Sequence, residues 1–404
     1  VLPLSIGTAL SLVGDSSLYA LLATHTAEAG IALSSVGLML SANRWIRLPL
    51  NPIVGLVIER IRRRKLFLPA LFLGAFSTLL YALNLGSTLF LVARLLWGIA
   101  WVGIWLTGNT IVLDASPPES RGRWLGIYQV AFFLGMSMGS VLGGWFTDLY
   151  GFSTAMMIHA GITLFGALIS WIFLPETRDW QPEQPDRAES EVSKPVNPVG
   201  SRRLRLAQML TAAGVLAASR LTVAGLLSFT LGLYLQEASG GQFVFANRVI
   251  GLATLTGLSL GLTTLVSMLT ALWSGRLSDR IGRWRTVALF LLPGAAGFVA
   301  LTLATPLWIA LGLIGIALSA GSSTILPTAI MGDQSRPQHR GRWLGRLYTI
   351  GDLASAAGPP LFIALLPLYA ITDFYLVAAI VLGLMSVAAI FWGLKRDAPG
   401  TSEL

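Results

Sequence analysis

Gly275-Arg-Leu-Ser-Asp279-Arg280-Ile-Gly282-Arg283-Trp-Arg285 is a short polar stretch set between two long apolar runs. A worn copy precedes it, Gly55-Leu-Val-Ile-Glu59-Arg60-Ile-Arg62-Arg63-Arg64-Lys65. The two align at a constant offset of 220 residues, acid on acid and Arg on Arg. A second pair repeats the pattern. Asp114 to Tyr128 and Asp333 to Tyr348 share an identical Arg-Gly-Arg-Trp-Leu-Gly, at 121–126 and 340–345, offset by 219 residues. Two loops, each present twice and half a chain apart, mark an internal duplication. Their apolar flanks place it in a membrane, where duplicated halves are a common construction of secondary transporters.

Composition agrees. The 404 residues are 54% hydrophobic and only 12% charged, with mean hydropathy +0.71. Soluble domains carry roughly 25% charged residues. A spanning helix needs about 20 mostly apolar residues. Such runs fall at roughly 2–24, 33–57, 66–86, 88–113, 123–147 and 152–174, then 206–235, 247–275, 285–304, 306–330, 342–367 and 371–394. They make twelve predicted spans in two sets of six. The expected domains are an N-terminal six-helix bundle (1–174), a polar, Pro-rich linker (175–205), a C-terminal six-helix bundle (206–396) and a tail (397–404). The first run lacks a basic stretch before it and a small-residue cleavage site, and reads as a retained helix.

Charge sets the orientation. Of 28 basic residues only Arg44, Arg47, Arg94, Arg220 and Arg248 lie outside the loops after even-numbered spans, the linker and the tail. Lys and Arg collect in cytoplasmic loops, so both termini and the linker are expected on the cytoplasmic side. The net charge of +9 then reflects topology, and nucleic-acid binding is not expected. The chain has no cysteine, which excludes thiolate metal sites and Cys nucleophiles. His25, His159 and His339 are scattered, so no metal site is expected. No phosphate-binding Gly-x-x-x-x-Gly-Lys-Ser/Thr loop occurs, and no cofactor is expected.

These residues resemble the major facilitator superfamily, most closely its bacterial drug:proton antiporter type, over essentially the whole chain. The family's loop signature Gly-x-x-x-Asp-Arg-x-Gly-Arg-Arg/Lys is matched by Gly275 to Arg283. In the first copy Glu59 replaces the Asp and Arg62 the second Gly. Arg94-x-x-x-Gly98-x-x-x-x-Gly103 is similar to the family's helix-4 arginine motif. Gly135-x-x-x-Gly139-Ser140-x-x-Gly143-Gly144 is similar to its antiporter motif, with Ser140 in place of Pro. Leu174-Pro175-Glu176-Thr177 is a common ending of the family's first half. The resemblance implies two six-helix bundles around a central cavity, working by alternating access in the bacterial inner membrane as a monomer.

Charged residues inside a bilayer are costly and usually face a cavity or a partner. Asp15 lies mid-way along the first span, and is the best candidate for a protonatable group; a permanent ion pair with Arg44 or Arg94 is the alternative. Arg94 resembles the arginine that family members use in proton coupling, and Asp352 is the second membrane acid. Arg44, Arg47 and Asn51 share one helical face by their i, i+3, i+7 spacing. With Arg220 they suit a carboxylate or phosphate, although Arg47 could belong to the cytoplasmic boundary. Trp101 and Trp105 also share a face and could stack on substrate, whereas most Trp serve as core or interfacial anchors. The loops are expected to form a cytoplasmic latch from Glu59, Arg60, Asp114, Gly275, Asp279, Arg280, Arg283 and Asp333, with Arg60 reaching Asp114 and Arg280 reaching Asp333. The stronger latch is expected in the second half, between the eighth and eleventh spans. The glycines of the fifth span read as a packing seam, and Gly358-Pro359-Pro360 as a break or bend in the eleventh.

The reading is therefore a proton-coupled exporter of small amphipathic or drug-like compounds, whose partners are substrate, protons and lipid. Transport of an anionic substrate such as an organic acid or lysophospholipid is the main rival. A non-transporting receptor is the other, and the paired latches speak against it. No catalytic constellation supports an enzyme.

Overall fold

The computed structural model describes residues 1–116, 121–177, 202–239, 243–245, 248–335 and 340–396. Most of the linker (178–201) and the tail (397–404) lie outside the described residues. The first half forms α1 (Leu2–Leu21), α2 (Leu33–Arg60), α3 (Arg63–Ala82), α4 (Ser87–Ala115), α5 (Arg121–Tyr150) and α6 (Phe152–Phe173). The second begins with α7 (Arg202–Ser219), which runs through a π-helical segment (Arg220–Leu227) into α8 (Ser228–Ser239), together one span. A short antiparallel hairpin, β1 (Phe243–Phe245) with β2 (Arg248–Ile250), precedes α9 (Leu252–Ile281). Then follow α10 (Arg283–Leu301), α11 (Pro306–Gln334), α12 (Arg340–Leu365) and α13 (Ile371–Arg396). The fold is an all-α integral membrane architecture of twelve spans in two pseudo-symmetric sets of six.

Ten of the described helical stretches are long and apolar enough to cross a membrane. The remaining two spans, α2 and α12, have 28 and 26 residues. At about 1.5 Å per residue they reach roughly 40 Å, more than the hydrocarbon core of about 30 Å. What they lack is apolarity, because α2 carries Asn43, Arg44, Arg47 and Asn51 and α12 carries Asp352.

The hairpin displaces the start of the eighth span from the expected 247 to Leu252. At Gly358-Pro359-Pro360 the helix is not broken, since α12 is continuous with both prolines inside it. Proline removes a donor and frees a carbonyl one turn back, but packing tolerates this in membrane helices. Here the flat backbone is used for close approach. A Cβ on Gly37 would lie 2.8 Å from Pro359 O and 2.8 Å from Pro360 Cα. The π segment meets the other side of the same bend, where a Cβ on Gly225 would reach Gly358 Cα at 3.1 Å.

Packing sorts the chain into two compact units. One comprises Val1–Asp186, Ser228–Leu265 and Pro359–Ile363. The other comprises Arg187–Leu227, Val266–Gly358 and Ala364–Leu404. In the first unit the α5 glycines form a seam with α1. Cβ atoms added at Gly135, Gly139 and Gly143 would lie 2.7, 2.8 and 2.9 Å from the Cα atoms of Ala9, Val13 and Ser17. Both sets repeat every four residues, so small residues let the two backbones touch along two turns. Gly144 faces instead the start of α9, where a Cβ would meet Thr254 Cα at 2.9 Å.

Three helices begin at glycines that only glycine suits. Gly86 (φ 88, ψ 174), Gly151 (φ 77, ψ 165) and Gly282 (φ 94, ψ 150) precede α4, α6 and α10. That region of backbone space is essentially glycine-only. Acids satisfy donors at two helix starts, that of α6 among them. Glu28 accepts from Phe152 N–H (2.9 Å), and Asp148 at the end of α5 accepts from Thr254 N–H (2.7 Å).

Candidate functional site

The polar centre of the first unit is built by α1, α2 and α4. Arg94 on α4 is fully buried and donates Nη1–H to Asp15 Oδ1 on α1 at 2.5 Å. Its Nε–H goes to Met39 O (2.8 Å) and its second Nη group to Tyr19 OH (3.4 Å) and Leu40 O (3.5 Å). The guanidinium thus has oxygen partners along three of its edges. That is what a buried arginine requires, because removing one partner of a buried pair typically costs about 3–5 kcal/mol. Asp15 keeps 13% of its side chain exposed. It is the less buried member of the pair.

Tyr19 stands one turn above Asp15 on the same face of α1. Two guanidiniums lie over its ring, with Arg44 Cζ at 5.1 Å and Arg94 Cζ at 5.7 Å from the centroid. Cation–π attraction reaches such distances. Sequence reasoning missed Tyr19; its i+4 spacing from Asp15 was the available signal. Arg44 is buried, while Arg47 and Asn51, further along the same face of α2, are partly buried. In the second unit Arg220 opens the π segment, and its Cγ would contact a Cβ on Gly351 at 3.6 Å. Asp352 is the next residue on α12, so these two membrane charges occupy neighbouring ground in one unit.

Trp101 and Trp105 belong to a ladder on α4. Centroids of Trp97 and Trp101 are 6.3 Å apart, and those of Trp101 and Trp105 5.5 Å. Tyr128 follows Trp105 at 5.9 Å, and Phe132 lies against both Trp101 and Trp105.

The two loops form ion pairs, but with a different arginine than expected. Asp114 pairs with Arg63 Nε at 3.0 Å, and Asp333 with Arg283 Nε at 3.2 Å. The expected partners were Arg60 and Arg280. The correction has a geometric cause. Arg60 and Arg280 end the incoming helices α2 and α9, whereas Arg63 and Arg283 begin the outgoing helices α3 and α10, which turn back towards the ends of α4 and α11. Arg280 is exposed. Arg283 also binds Ser278 Oγ (2.5 Å) and Asp279 Oδ1 (2.7 Å). A cavity of about 540 Å³ opens at this loop, lined by Asp279, Arg280, Arg283, Trp284, Arg285 and Asp333 among others. Glu59 lies in α2, but its side chain is outside the described set. At Gly275, a helical residue, an added Cβ would meet only Ile325 Cγ2, at 4.0 Å.

The second-half pair is also the more exposed. Side-chain exposure is 26% and 55% for Arg283 and Asp333, against 14% and 27% for Arg63 and Asp114. The first loop is further secured by Glu176 from beyond α6, a residue not assigned a role in advance. Its carboxylate accepts from Arg63 N–H (3.0 Å) and Arg64 N–H (3.2 Å), the first donors of α3. An acid at a helix N-terminus satisfies orphan donors and the helix dipole together. Of the two pairs, the first is thus the more enclosed.

Comparison with known proteins fits this architecture. The family model described as Major Facilitator Superfamily matches residues 4–328 and 253–404. The chain belongs to the Major Facilitator Superfamily. A class G tetracycline resistance protein from Vibrio anguillarum is 27% identical over 335 residues, 81% of this chain and 80% of that one. The multidrug resistance protein MdtG of Salmonella choleraesuis is 23% identical over 349 residues, covering 86% and 81%. The crystal structure of the human organic anion transporter MFSD10 superposes with a TM-score of 0.63 at 20% identity, covering 96% of this chain and 98% of that one. Class E and class C tetracycline resistance proteins from Escherichia coli are similar at 24% and 26% identity. The chain is a multi-pass membrane transporter, not an enzyme.

Proposed function

We propose that this transporter is a proton-coupled antiporter that exports small amphipathic or drug-like compounds by alternating access. The observation that carries the reading is the Asp15–Arg94 pair. A fully buried cation is held by a carboxylate that remains partly exposed. Protonation of Asp15 removes the charge that offsets Arg94, so proton arrival must rearrange the packing of α1 on α4 and α2. Such a bistable contact is the element that alternating access needs. The names of the tetracycline-resistance and multidrug relatives support a drug-like substrate. Asp352, beside Arg220, is a second coupling group in this reading. Arg44, Arg47, Asn51, Trp101, Trp105 and Arg220 contact substrate. The loop pairs, with Glu59, Arg60, Gly275, Asp279 and Arg280, gate the cytoplasmic side. The protein acts as a monomer in the bacterial inner membrane with both termini in the cytoplasm.

The test is proton flux in proteoliposomes with a transported dye. Asp15→Asn is expected to abolish proton-driven uptake while substrate exchange continues. Unchanged proton coupling in that variant would remove Asp15 from the mechanism.

A second reading, transport of an organic anion, draws on one observation, the two guanidiniums of Arg44 and Arg94 that lie over the Tyr19 ring. The name of MFSD10 is in keeping with it. Arg44→Gln separates the two readings, since an anion carrier loses affinity for anions at least about tenfold, the loss of one charge-assisted hydrogen bond, while a cation exporter does not.

A further inference from the structure

The two repeats open their third helices differently. In the first, the Glu176 carboxylate bridges the first donors of α3, with Oε1 3.0 Å from Arg63 N and Oε2 3.2 Å from Arg64 N. The first N–H groups of a helix have no intrahelical acceptor, and the helix dipole adds to their attraction for an anion. At the repeat offset of 220 the same two groups belong to Arg283 and Trp284, at the start of α10. Among the described residues no acceptor reaches either N–H. The same offset carries Glu176 onto Arg396, the last residue of α13. The second repeat thus has a base where the first has the capping acid.

A cavity of about 540 Å³ opens at this helix start, and Gly282, Arg283, Trp284 and Arg285 all line it. Its lining holds three arginines, Arg280, Arg283 and Arg285, against the two aspartates Asp279 and Asp333. Both aspartates pair with Arg283. The cavity therefore combines backbone donors with a surplus of positive charge, the two features that hold an oxyanion at a helix N-terminus. In the first repeat that oxyanion is present, as Glu176.

The surroundings favour a lipid over a free ion. Leu289 and Leu292 follow Arg285 at i+4 and i+7 on one face of α10, and both are exposed. Phe391 and Leu394 are exposed on α13, which reaches the cavity at Gly393, where an added Cβ would lie 3.2 Å from Arg285 Cγ. Apolar surface for acyl chains thus adjoins the basic cavity. In the proposed orientation this end of α10 faces the cytoplasm, where basic pockets between membrane helices attract anionic headgroups.

We propose that the start of α10, with Arg280 and Arg285, binds the phosphate of an anionic phospholipid in the place that Glu176 fills at the start of α3. The site goes beyond the transport reading and does not depend on which compound is carried.

The experiment measures binding of an acyl-labelled fluorescent phosphatidylglycerol to the purified full-length protein in neutral detergent, with unlabelled competitors. Phosphatidylglycerol is expected to displace the probe more effectively than phosphatidylcholine of the same chains, whose choline cation offsets the phosphate charge. Inorganic phosphate, which lacks the chains, is expected to displace it only weakly. Arg285→Gln is expected to weaken probe binding about tenfold, the loss of one charge-assisted hydrogen bond, and Arg280→Gln to weaken it as well. Lys65→Gln, at the first-repeat counterpart of Arg285, should leave binding unchanged, because Glu176 already occupies that helix start. Arg396→Glu gives the second repeat the acid of the first. It is expected to abolish probe binding and to raise the melting temperature, a rise that separates a filled site from a misfolded protein. Equal displacement by the two lipids, or by inorganic phosphate and phosphatidylglycerol, would overturn the site. Equal losses in Lys65→Gln and Arg285→Gln would do the same. Probe binding that appears only in Asp397→Asn would assign the place to the chain's own tail carboxylate and overturn the lipid proposal.

Discussion

Gly282 and Arg62 hold equivalent places in the two loops, and they show what a single residue decides. Gly282 turns the chain at φ 94 and ψ 150, whereas Arg62 adopts φ −58 and ψ 132. The first loop has thus replaced a glycine-only turn by an ordinary one, and Glu176 takes over the start of α3. Gly282→Ala is expected to destabilise the protein by about 1–3 kcal/mol, the usual cost of this backbone region for a residue with a Cβ. Gly275→Ala, whose added methyl comes no nearer than 4.0 Å to Ile325 Cγ2, should leave the melting temperature in detergent nearly unchanged. An equal fall for both would contradict the backbone argument. The loop arginines give a second contrast. Arg283→Gln removes the partner of Asp279 and Asp333 and is expected to lower stability by up to about 1 kcal/mol, as exposed pairs do, while Arg280→Gln should have no effect on melting. The motif located these loops from sequence alone. It did not choose between arginines three residues apart, because that choice depends on where the chain reverses between two helices.

The helical elements were legible as apolar runs, and the contacts between them were legible in part. Glycines four residues apart on α5 announced a close helix approach, and their partner is α1, at Ala9, Val13 and Ser17. Gly139→Val would push methyl groups into the Val13 backbone and is expected to cost at least about 1–3 kcal/mol. Gly161→Ala on α6 meets nothing within 4 Å and should be neutral; the comparison is read from thermal melting in detergent. Asp148 is an outer-loop acid in the sequence and a helix cap in the fold. Its carboxylate accepts from Thr254 N–H and so ties the end of α5 to the start of α9. Asp148→Ala is expected to cost about 0.5–2 kcal/mol, the usual value of a lost cap, and to raise amide exchange at the first turn of α9. The aromatic ladder was visible as Trp spacing on α4, but Tyr128 and Phe132 joined it from another helix. No periodicity within α4 could name them. The prolines of α12 do not interrupt the helix, and the stretch around them lies close to Gly37 and Gly225.

At the scale of the whole chain, duplication and charge placement fix the design before any coordinates are known. The orientation they imply can be tested directly, because the chain has no native cysteine. Thr26→Cys is expected to react with an impermeant maleimide from outside intact cells, and Ser193→Cys only in inside-out vesicles; the reverse pattern would invert the topology. The sequence by itself determined that this is a twelve-span transporter of two related halves, since hydropathy, repeat offset and basic-residue placement are properties of the linear chain. The membrane reads them locally, through the cost of burying unpaired backbone and charge. Tertiary structure alone decided which partners meet. Arg94 with Asp15, Tyr19 near two arginines, Arg63 and Arg283 on the loop acids, and Tyr128 beside the Trp ladder all join residues brought together by helix packing. Those pairings depend on helix rotation and close approach, which many residues set jointly and no short motif encodes.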